Sequence, residues 1–176
     1  MKKFGGKVLF LDRANINTDE IIPAKYLTEI DKEPLKQHLL EDLDLNNFDP
    51  TSINFEQYGA VVSRANFGCG SSREMAPWAF EVNGINVLIA SNFARIFREN
   101  TFNCGMLAIE LSEDTIDKIF QDFADKDDVL LDINLNDMTM KFSTTDLNYE
   151  LEFSLTKFQH DLVKHGGWVK LAADKY

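Results

Sequence analysis

The sequence predicts an α/β fold with a mainly parallel core sheet, flanked by helices and followed by a C-terminal run of short strands. Between residues 59 and 111, apolar runs typical of buried strands alternate with segments of helical apolar spacing, joined by short connections. This order favours parallel pairing, with the loops that follow the strands gathered at one edge of the sheet. Three short alternating segments after residue 128 predict further strands, the first two joined by a hairpin turn.

Each element is predicted from its own local pattern. Strands are predicted from short apolar or alternating runs, at residues 7–11, 59–67, 85–90, 106–111, 129–135, 138–143 and 147–153. Helices are predicted from apolar residues three and four apart, at residues 34–43, 72–82, 94–102, 112–123 and 154–164. Some of the ends carry chemical signals, because Pro34 suits a first helical turn, Gly84 suits a helix stop and Ser112 suits an N-cap.

Length and composition favour one globular domain over residues 1–176. The chain has 44% hydrophobic and 27% charged residues, which is enough for a single core. No apolar run approaches the roughly 20 residues of a membrane span, and residues 1–11 resemble a first strand more than a signal peptide. We therefore expect a cytoplasmic protein with no membrane partner. Cys69 and Cys104 are too few for a disulfide framework and are expected to be free thiols.

The charge distribution indicates a local anion site in an acidic protein. A net charge of −11 argues against nucleic acid or an anionic membrane as a partner. Four of the five arginines nevertheless lie between residues 60 and 100, namely Arg64, Arg73, Arg95 and Arg98. Such a concentration favours recognition of a carboxylate or phosphate. The alternative is that these arginines pair with glutamates on helix surfaces.

Residues 63–80, SRANFGCGSSREMAPWAF, join a predicted strand to a predicted helix through a glycine hinge at residues 68–73. Gly68 and Gly70 allow backbone conformations in which successive N–H groups converge on one point. A helix starting just after them would add unpaired N–H donors and the positive end of its dipole, which favours an anion. The spacing matches neither a P-loop nor the dinucleotide fingerprint, so nucleotide binding is disfavoured.

Three polar side chains follow the second glycine. Ser71 and Ser72 can each donate or accept a proton, and Arg73 offers a planar fork suited to a carboxylate. A purely structural interpretation also fits, with a serine N-cap, Glu74 as its capping-box partner and a solvated arginine. The pattern alone leaves both interpretations open.

Residues 63–80 resemble the signature of the 3-isopropylmalate dehydratase small-subunit family, whose members correspond to the swivelling fourth domain of aconitase. The resemblance extends to NTDEIIPAKYL at residues 17–27 and SNFARIFRENTFNCGMLAIEL at residues 91–111, in the family's order and spacing. It implies an aconitase-like swivelling domain of the β/β/α type. One departure is Met75, where the family usually has histidine, which affects the subfamily assignment more than the chemistry.

The resemblance implies a role for each matching residue of the hinge. Ser71 would be the catalytic base, with Asp19 of the TDxI pattern as a polar group near it. Ser72 would donate to the substrate or its oxyanion, Arg73 would clamp a substrate carboxylate, and Gly70 would contribute to substrate binding. From the residues alone, an Asx turn or helix cap is an equally good account of Asp19.

The loop after Tyr26 faces the substrate's variable group in this family, which implies substrate-binding roles for Leu27 and Thr28. Residues 28–30 match no specificity signature that we can apply. The malate derivative on which such a protein would act is therefore left open.

The resemblance also implies a partner. In this family a separate large subunit carries a 4Fe-4S cluster and most catalytic residues, and the small subunit closes over it to interconvert 2- and 3-isopropylmalate in leucine biosynthesis. The residues agree, because loss of a hydroxide needs a Lewis acid and two cysteines cannot supply the three ligands of such a cluster. We therefore expect no metal or cofactor in this chain and a hydro-lyase that is active only with its partner. The alternatives are a homoaconitase, dimethylmalate or methylcitrate type of hydratase, or a stand-alone anion-binding regulatory module.

Overall fold

The structure, a computed structural model, describes residues 2–26, 28 and 31–176. Seven strands are present in the described residues: β1 (Gly5–Phe10), β2 (Tyr58–Val62), β3 (Val87–Ala90), β4 (Leu107–Glu110), β5 (Leu130–Asn134), β6 (Thr139–Ser143) and β7 (Asn148–Glu152). The α-helices of the described residues are α1 (Thr18–Ile21), α2 (Met75–Glu81), α3 (Arg95–Asn103), α4 (Glu113–Phe123), α5 (Lys157–His165) and α6 (Trp168–Lys175). The predicted α/β class and all seven predicted strands are confirmed.

All seven strands form one sheet in the order β4-β3-β2-β1-β5-β6-β7. The first four strands in this order are mutually parallel. From β1 outward to β7 the pairing is antiparallel. The parallel core and the C-terminal run of short strands are therefore two halves of the same sheet, and the loops that follow β1, β2 and β3 meet at one edge.

The parallel half is buried on both faces, as its continuous apolar runs predict. All four residues of β3 are buried. Helix α4 contributes one apolar stripe to the core, because Ile116, Ile119, Phe120 and Phe123 are its buried residues. The outer strand β7 instead alternates between exposed and half-buried positions.

Several predicted boundaries are wrong. The helix predicted at residues 34–43 is a 3-10 helix, Glu33–His38, and the chain then turns at Leu40, whose φ is +57° and whose N–H donates to the Ile21 carbonyl. The strand predicted to run to residue 67 ends at Val62, and Asn66 has a φ of +57°. The last predicted helix begins at Lys157 and is followed, after two glycines, by the unpredicted α6.

No helix in the described part of the chain is both long enough and apolar enough to cross a membrane.

Candidate active site

Three loops converge at the carboxyl edge of the parallel strands, as the topology predicts. The loop after β1 pairs with the loop after β2, since Gly68 N–H donates to the Ile16 carbonyl at 2.8 Å. The loop after β2 pairs in turn with the loop after β3, since Ala94 N–H donates to the Phe67 carbonyl at 2.9 Å. The convergence at this edge, where open α/β sheets bind their ligands, is confirmed.

The two glycines of the hinge are required for different reasons. Gly68 has a φ of +80°, and a Cβ atom there would lie 2.2 Å from the Phe97 ring. Gly70 has a φ of +93°, but its nearest neighbour would be Asn17 Cβ at 3.5 Å, which is ordinary contact. Gly68 therefore serves both packing and backbone conformation, whereas Gly70 serves the conformation alone.

The helix start predicted at residue 72 is wrong, because α2 begins at Met75 and Glu74 makes no side-chain cap bond. A physical reason is Pro77, since a proline ring clashes with the carbonyl four residues earlier and so excludes Arg73 from the helix. Proline is tolerated only in the first turn, where its missing N–H would have no partner anyway. The capping interpretation of the serines and the predicted dipole contribution at residues 71–73 are therefore not supported.

Ser71 and Ser72 lie on the surface instead. Both serines and Gly70 are exposed, and neither hydroxyl bonds to another of the described residues. The backbone at Ser71 is nevertheless held firmly, because Thr18 Oγ1 donates to the Ser71 carbonyl at 2.9 Å. Two hydroxyls are thus presented outward from a fixed main chain.

Thr18 is a residue of the site that sequence reasoning did not select. It is buried, and its N–H donates to the Cys69 carbonyl at 2.9 Å while its hydroxyl binds Ser71. The threonine therefore fixes both residues that flank Gly70. Its position next to Asp19 was the only available signal, because neither burial nor pairing between distant loops can be read from a local pattern.

Asp19 and Arg73 meet across the two loops as an ion pair between Arg73 Nη1 and Asp19 Oδ1. The carboxylate side chain is 61% exposed, whereas the arginine side chain is 17% exposed. The structure therefore brings Asp19 to the hinge, as predicted, and it holds the guanidinium in place. The same guanidinium is the candidate in the hinge for binding an external carboxylate.

The loop that carries Thr18 and Asp19 is braced by Glu20. Its carboxylate accepts hydrogen bonds from both Nη groups of Arg13. It also accepts one from the backbone N–H of Asp44, at 3.1 Å. Asn17 and Glu20 form a capping box at the start of α1. Burial would raise the pKa of Glu20, but the hydrogen bonds from Arg13, Asp44 and Asn17 outweigh it and lower that pKa. Hydrogen bonding to Glu20 raises the pKa of Arg13 correspondingly.

The other three clustered arginines do not join this site. Arg64 pairs with Asp12 and Asp117 and lies over the Phe120 ring. Arg95 and Arg98 pair with carboxylates on or beside α3. Of the four, only Arg73 lies in the hinge, and only Arg95 pairs with a glutamate on a helix surface, as the alternative interpretation predicts.

The other predicted residues are the two of the loop after Tyr26 and the two cysteines. Thr28 is exposed in a turn, and Leu27 lies outside the described residues. Both cysteines are free thiols, as predicted, and burial raises the pKa of Cys104 to about 12. No group of three or more histidine, cysteine or acidic residues in the described ranges could hold a metal ion. Two thiols, one of them so resistant to deprotonation, do not fit an iron–sulfur cluster.

Comparison with known proteins decides the family. The model of the Aconitase C-terminal domain family matches residues 1–114, which include all three loops of the site. This chain belongs to that family. The structure also resembles that of the 3-isopropylmalate dehydratase leuD from Methanocaldococcus jannaschii, with a TM-score of 0.77 and 29% sequence identity. The match covers 98% of this chain and 94% of that chain, so the structural likeness to leuD extends beyond the residues of the family match into the antiparallel half of the sheet.

Proposed function

We propose that this chain is the small subunit of a cytoplasmic 3-isopropylmalate dehydratase, which interconverts 2- and 3-isopropylmalate by dehydration and rehydration in leucine biosynthesis. The observation that carries the proposal is the exposed Ser71, fixed through its backbone by Thr18 and placed beside the Asp19–Arg73 ion pair. Membership of the aconitase family and the likeness to leuD support it. The isomerisation reaction and the large partner subunit are what we propose beyond family membership.

Ser71 would act as the base of the dehydration. Its Oγ takes a proton from the carbon next to a substrate carboxylate, and the electron pair of that bond forms the double bond as hydroxide leaves the neighbouring carbon. A serine alkoxide is costly in water, but the Arg73 guanidinium on the same short segment favours the negative form. In the reverse reaction the protonated Ser71 returns the proton to carbon.

Arg73 would bind the substrate carboxylate through its planar fork. In the chain alone, Asp19 holds one edge of that fork. A substrate carboxylate would occupy the remaining donors while Asp19 keeps the guanidinium oriented, and Ser72 would supply a further donor to the substrate. Leu27 and Thr28 would contribute to substrate binding from the neighbouring loop.

Departure of the hydroxide needs a Lewis acid, and the two thiols of this chain do not fit the ligand set of an iron–sulfur cluster. We therefore place the 4Fe-4S cluster in a separate large subunit that covers the exposed hinge. The open setting of Ser71 supports this, because its side chain is exposed and only its backbone carbonyl is held, by Thr18. A site closed by a second chain would also exclude water from the base.

Reconstitution tests the proposal. The purified chain should be inactive with 2-isopropylmalate, and activity should appear on mixing with a cluster-loaded large subunit. Homoaconitate, dimethylmalate and methylcitrate, assayed in parallel, test the substrate. Activity of the chain alone would contradict the shared active site. A pair that copurifies but prefers another member of the panel would contradict the assignment of isopropylmalate, and failure to bind any large subunit would favour a stand-alone anion-binding module.

A further inference from the structure

A cavity lies at the same edge of the sheet as the hinge, and none of the hinge residues lines it. It has a volume of about 510 Å³ and lies where α3, the carboxyl end of β4 and the first turns of α5 meet. Phe93 forms part of its wall, and the Phe93 backbone pairs with Phe67 just before the hinge. The volume falls within the range of roughly 300–1,000 Å³ that is typical of small-molecule sites.

Charged groups of both signs line this cavity. Arg95 is 3.6 Å from Glu99, and Arg98 is 3.6 Å from Glu110. Both separations exceed the roughly 2.7–2.9 Å of a charge-assisted hydrogen bond, so each pair is loose. A ligand with a matching charge can therefore complete either pair, and on Arg98 it would use the Nη groups, because Nε already donates to the Ala108 carbonyl at 3.2 Å. Because two positive charges balance two negative ones, neither a simple anion nor a simple cation is favoured.

The charges of opposite sign are also close together in space. Arg95 and Glu99 are neighbours one turn apart on α3, and Arg98 of the same helix lies beside Glu110. Glu110 ends the strand beside them. Such a compact arrangement suits a ligand whose positive and negative groups are separated by only a few bonds.

The remaining wall is apolar and partly open. Phe158 and Leu162 of α5 contribute to it, and Phe158 is 52% exposed, covered on one side by an edge-to-face contact with Trp168. The Phe158 ring is therefore still half open to a ligand. Next to the charged pairs, it offers a surface for a hydrocarbon group.

We propose that this cavity binds a free α-amino acid with an apolar side chain. The carboxylate lies on the guanidinium groups of Arg95 and Arg98, and the ammonium lies on the carboxylates of Glu99 and Glu110. The hydrocarbon side chain packs against Phe158. The site is independent of the proposed reaction, because it needs neither the hinge residues nor a partner subunit.

Calorimetric titration of the full chain at neutral pH and low salt tests the site with four probes. L-leucine and L-phenylalanine carry both charges. 4-Methyl-2-oxopentanoate lacks the ammonium group, and 3-methylbutylamine lacks the carboxylate. We expect the two amino acids to bind saturably with dissociation constants of about 1 mM or below, and each analogue to bind about tenfold or more weakly.

Variants at the mouth of the cavity locate the binding. Arg95→Gln removes one charge from an exposed side chain and should weaken leucine binding about tenfold. Lys118→Gln is the matched control, because it breaks a similar exposed i,i+4 ion pair on α4, away from the cavity, and should leave binding unchanged. Absence of saturable binding by both amino acids, equal binding of either analogue, or unchanged binding in Arg95→Gln would each overturn the proposal.

Discussion

The two loops that form the hinge site are built in opposite ways. In residues 12–20, polar side chains bind one another, since the Glu20 carboxylate accepts hydrogen bonds from the side chains of Arg13 and Asn17. In residues 68–73, the backbone is held by hydrogen bonds and glycine conformations, while the serine side chains are left exposed. The polar side chains of the first loop therefore stabilise the structure, whereas the two serine hydroxyls of the second are exposed, as the proposed binding of a substrate requires.

Under the proposed function, the residues that stabilise the site and the residues that react belong to different loops, which contact each other through Thr18 and Ser71. Changes to exposed groups of the hinge should affect turnover with little effect on folding, whereas changes to the braces should affect folding first. Asp19 and Arg73 join the two loops, so they belong to both.

The largest effect is expected from Ser71→Ala. Removing a general base should lower kcat of the reconstituted enzyme about 100- to 10,000-fold. Thermal unfolding should hardly change, because Thr18 binds the Ser71 carbonyl, which alanine retains. Steady-state kinetics and calorimetry measure the two quantities. Ser72→Ala is the control, with a smaller loss of turnover, and a fully active Ser71→Ala complex would remove the assignment of the base.

Gly68→Ala should instead destabilise the fold. The new Cβ would lie 2.2 Å from the Phe97 ring, at a φ of +80°. Overpacking and the left-handed backbone together should cost about 3 kcal/mol in free energy of unfolding. Gly84→Ala is the matched control, because its φ is +81° and no atom lies within 4 Å of the added methyl group. Equal destabilisation of the two variants, measured by denaturant unfolding, would show that the Phe97 contact is not what requires glycine.

The sequence predicted the fold well where patterns are local. Apolar runs predicted every strand, and the order of elements predicted the parallel half of the sheet. Boundaries were less accurate where a distant contact decides them. Leu40 continues a helical apolar pattern, but its backbone turns to bind the Ile21 carbonyl, and no pattern around residue 40 contains that partner.

For the site, the resemblance placed Asp19 near the hinge, and the structure brings the two together. What the sequence could not supply is how the segment is held. The start of α2 was predicted too early because the apolar spacing outweighed the constraint from Pro77. Thr18 was not selected, because its role arises from the contact between two loops that are 53 residues apart in sequence. The catalytic and substrate-binding roles stay predictions.

Arg73→Lys tests the group that joins the two loops. Lysine keeps the charge and can still pair with Asp19, but it lacks the planar fork. We expect KM for the substrate to rise about tenfold while kcat changes less, since the lost interaction is one of binding. Arg64→Lys is the control, because Arg64 pairs with Asp12 and Asp117 away from the hinge and should leave KM unchanged. An unchanged KM in Arg73→Lys would contradict the clamp.

The smallest effect should come from Glu20→Gln, which removes the charge of the brace while glutamine can still complete the capping box. Losing the charge on the hydrogen bonds to Arg13 should cost about 1–2 kcal/mol at neutral pH. Because folding lowers the pKa of Glu20, its stabilisation is fully present above the unfolded value near 4.5 and is lost as the pH falls through the folded value. The difference in unfolding free energy between wild type and variant should therefore be largest at neutral pH and should shrink below pH 4.5.

Urea unfolding across this pH range measures the difference, with Glu152→Gln at an exposed position of β7 as the control. A difference that stays constant with pH would show that the shape of Glu20, and not its charge, braces the loop, and the contrast between the two loops would then rest on packing alone.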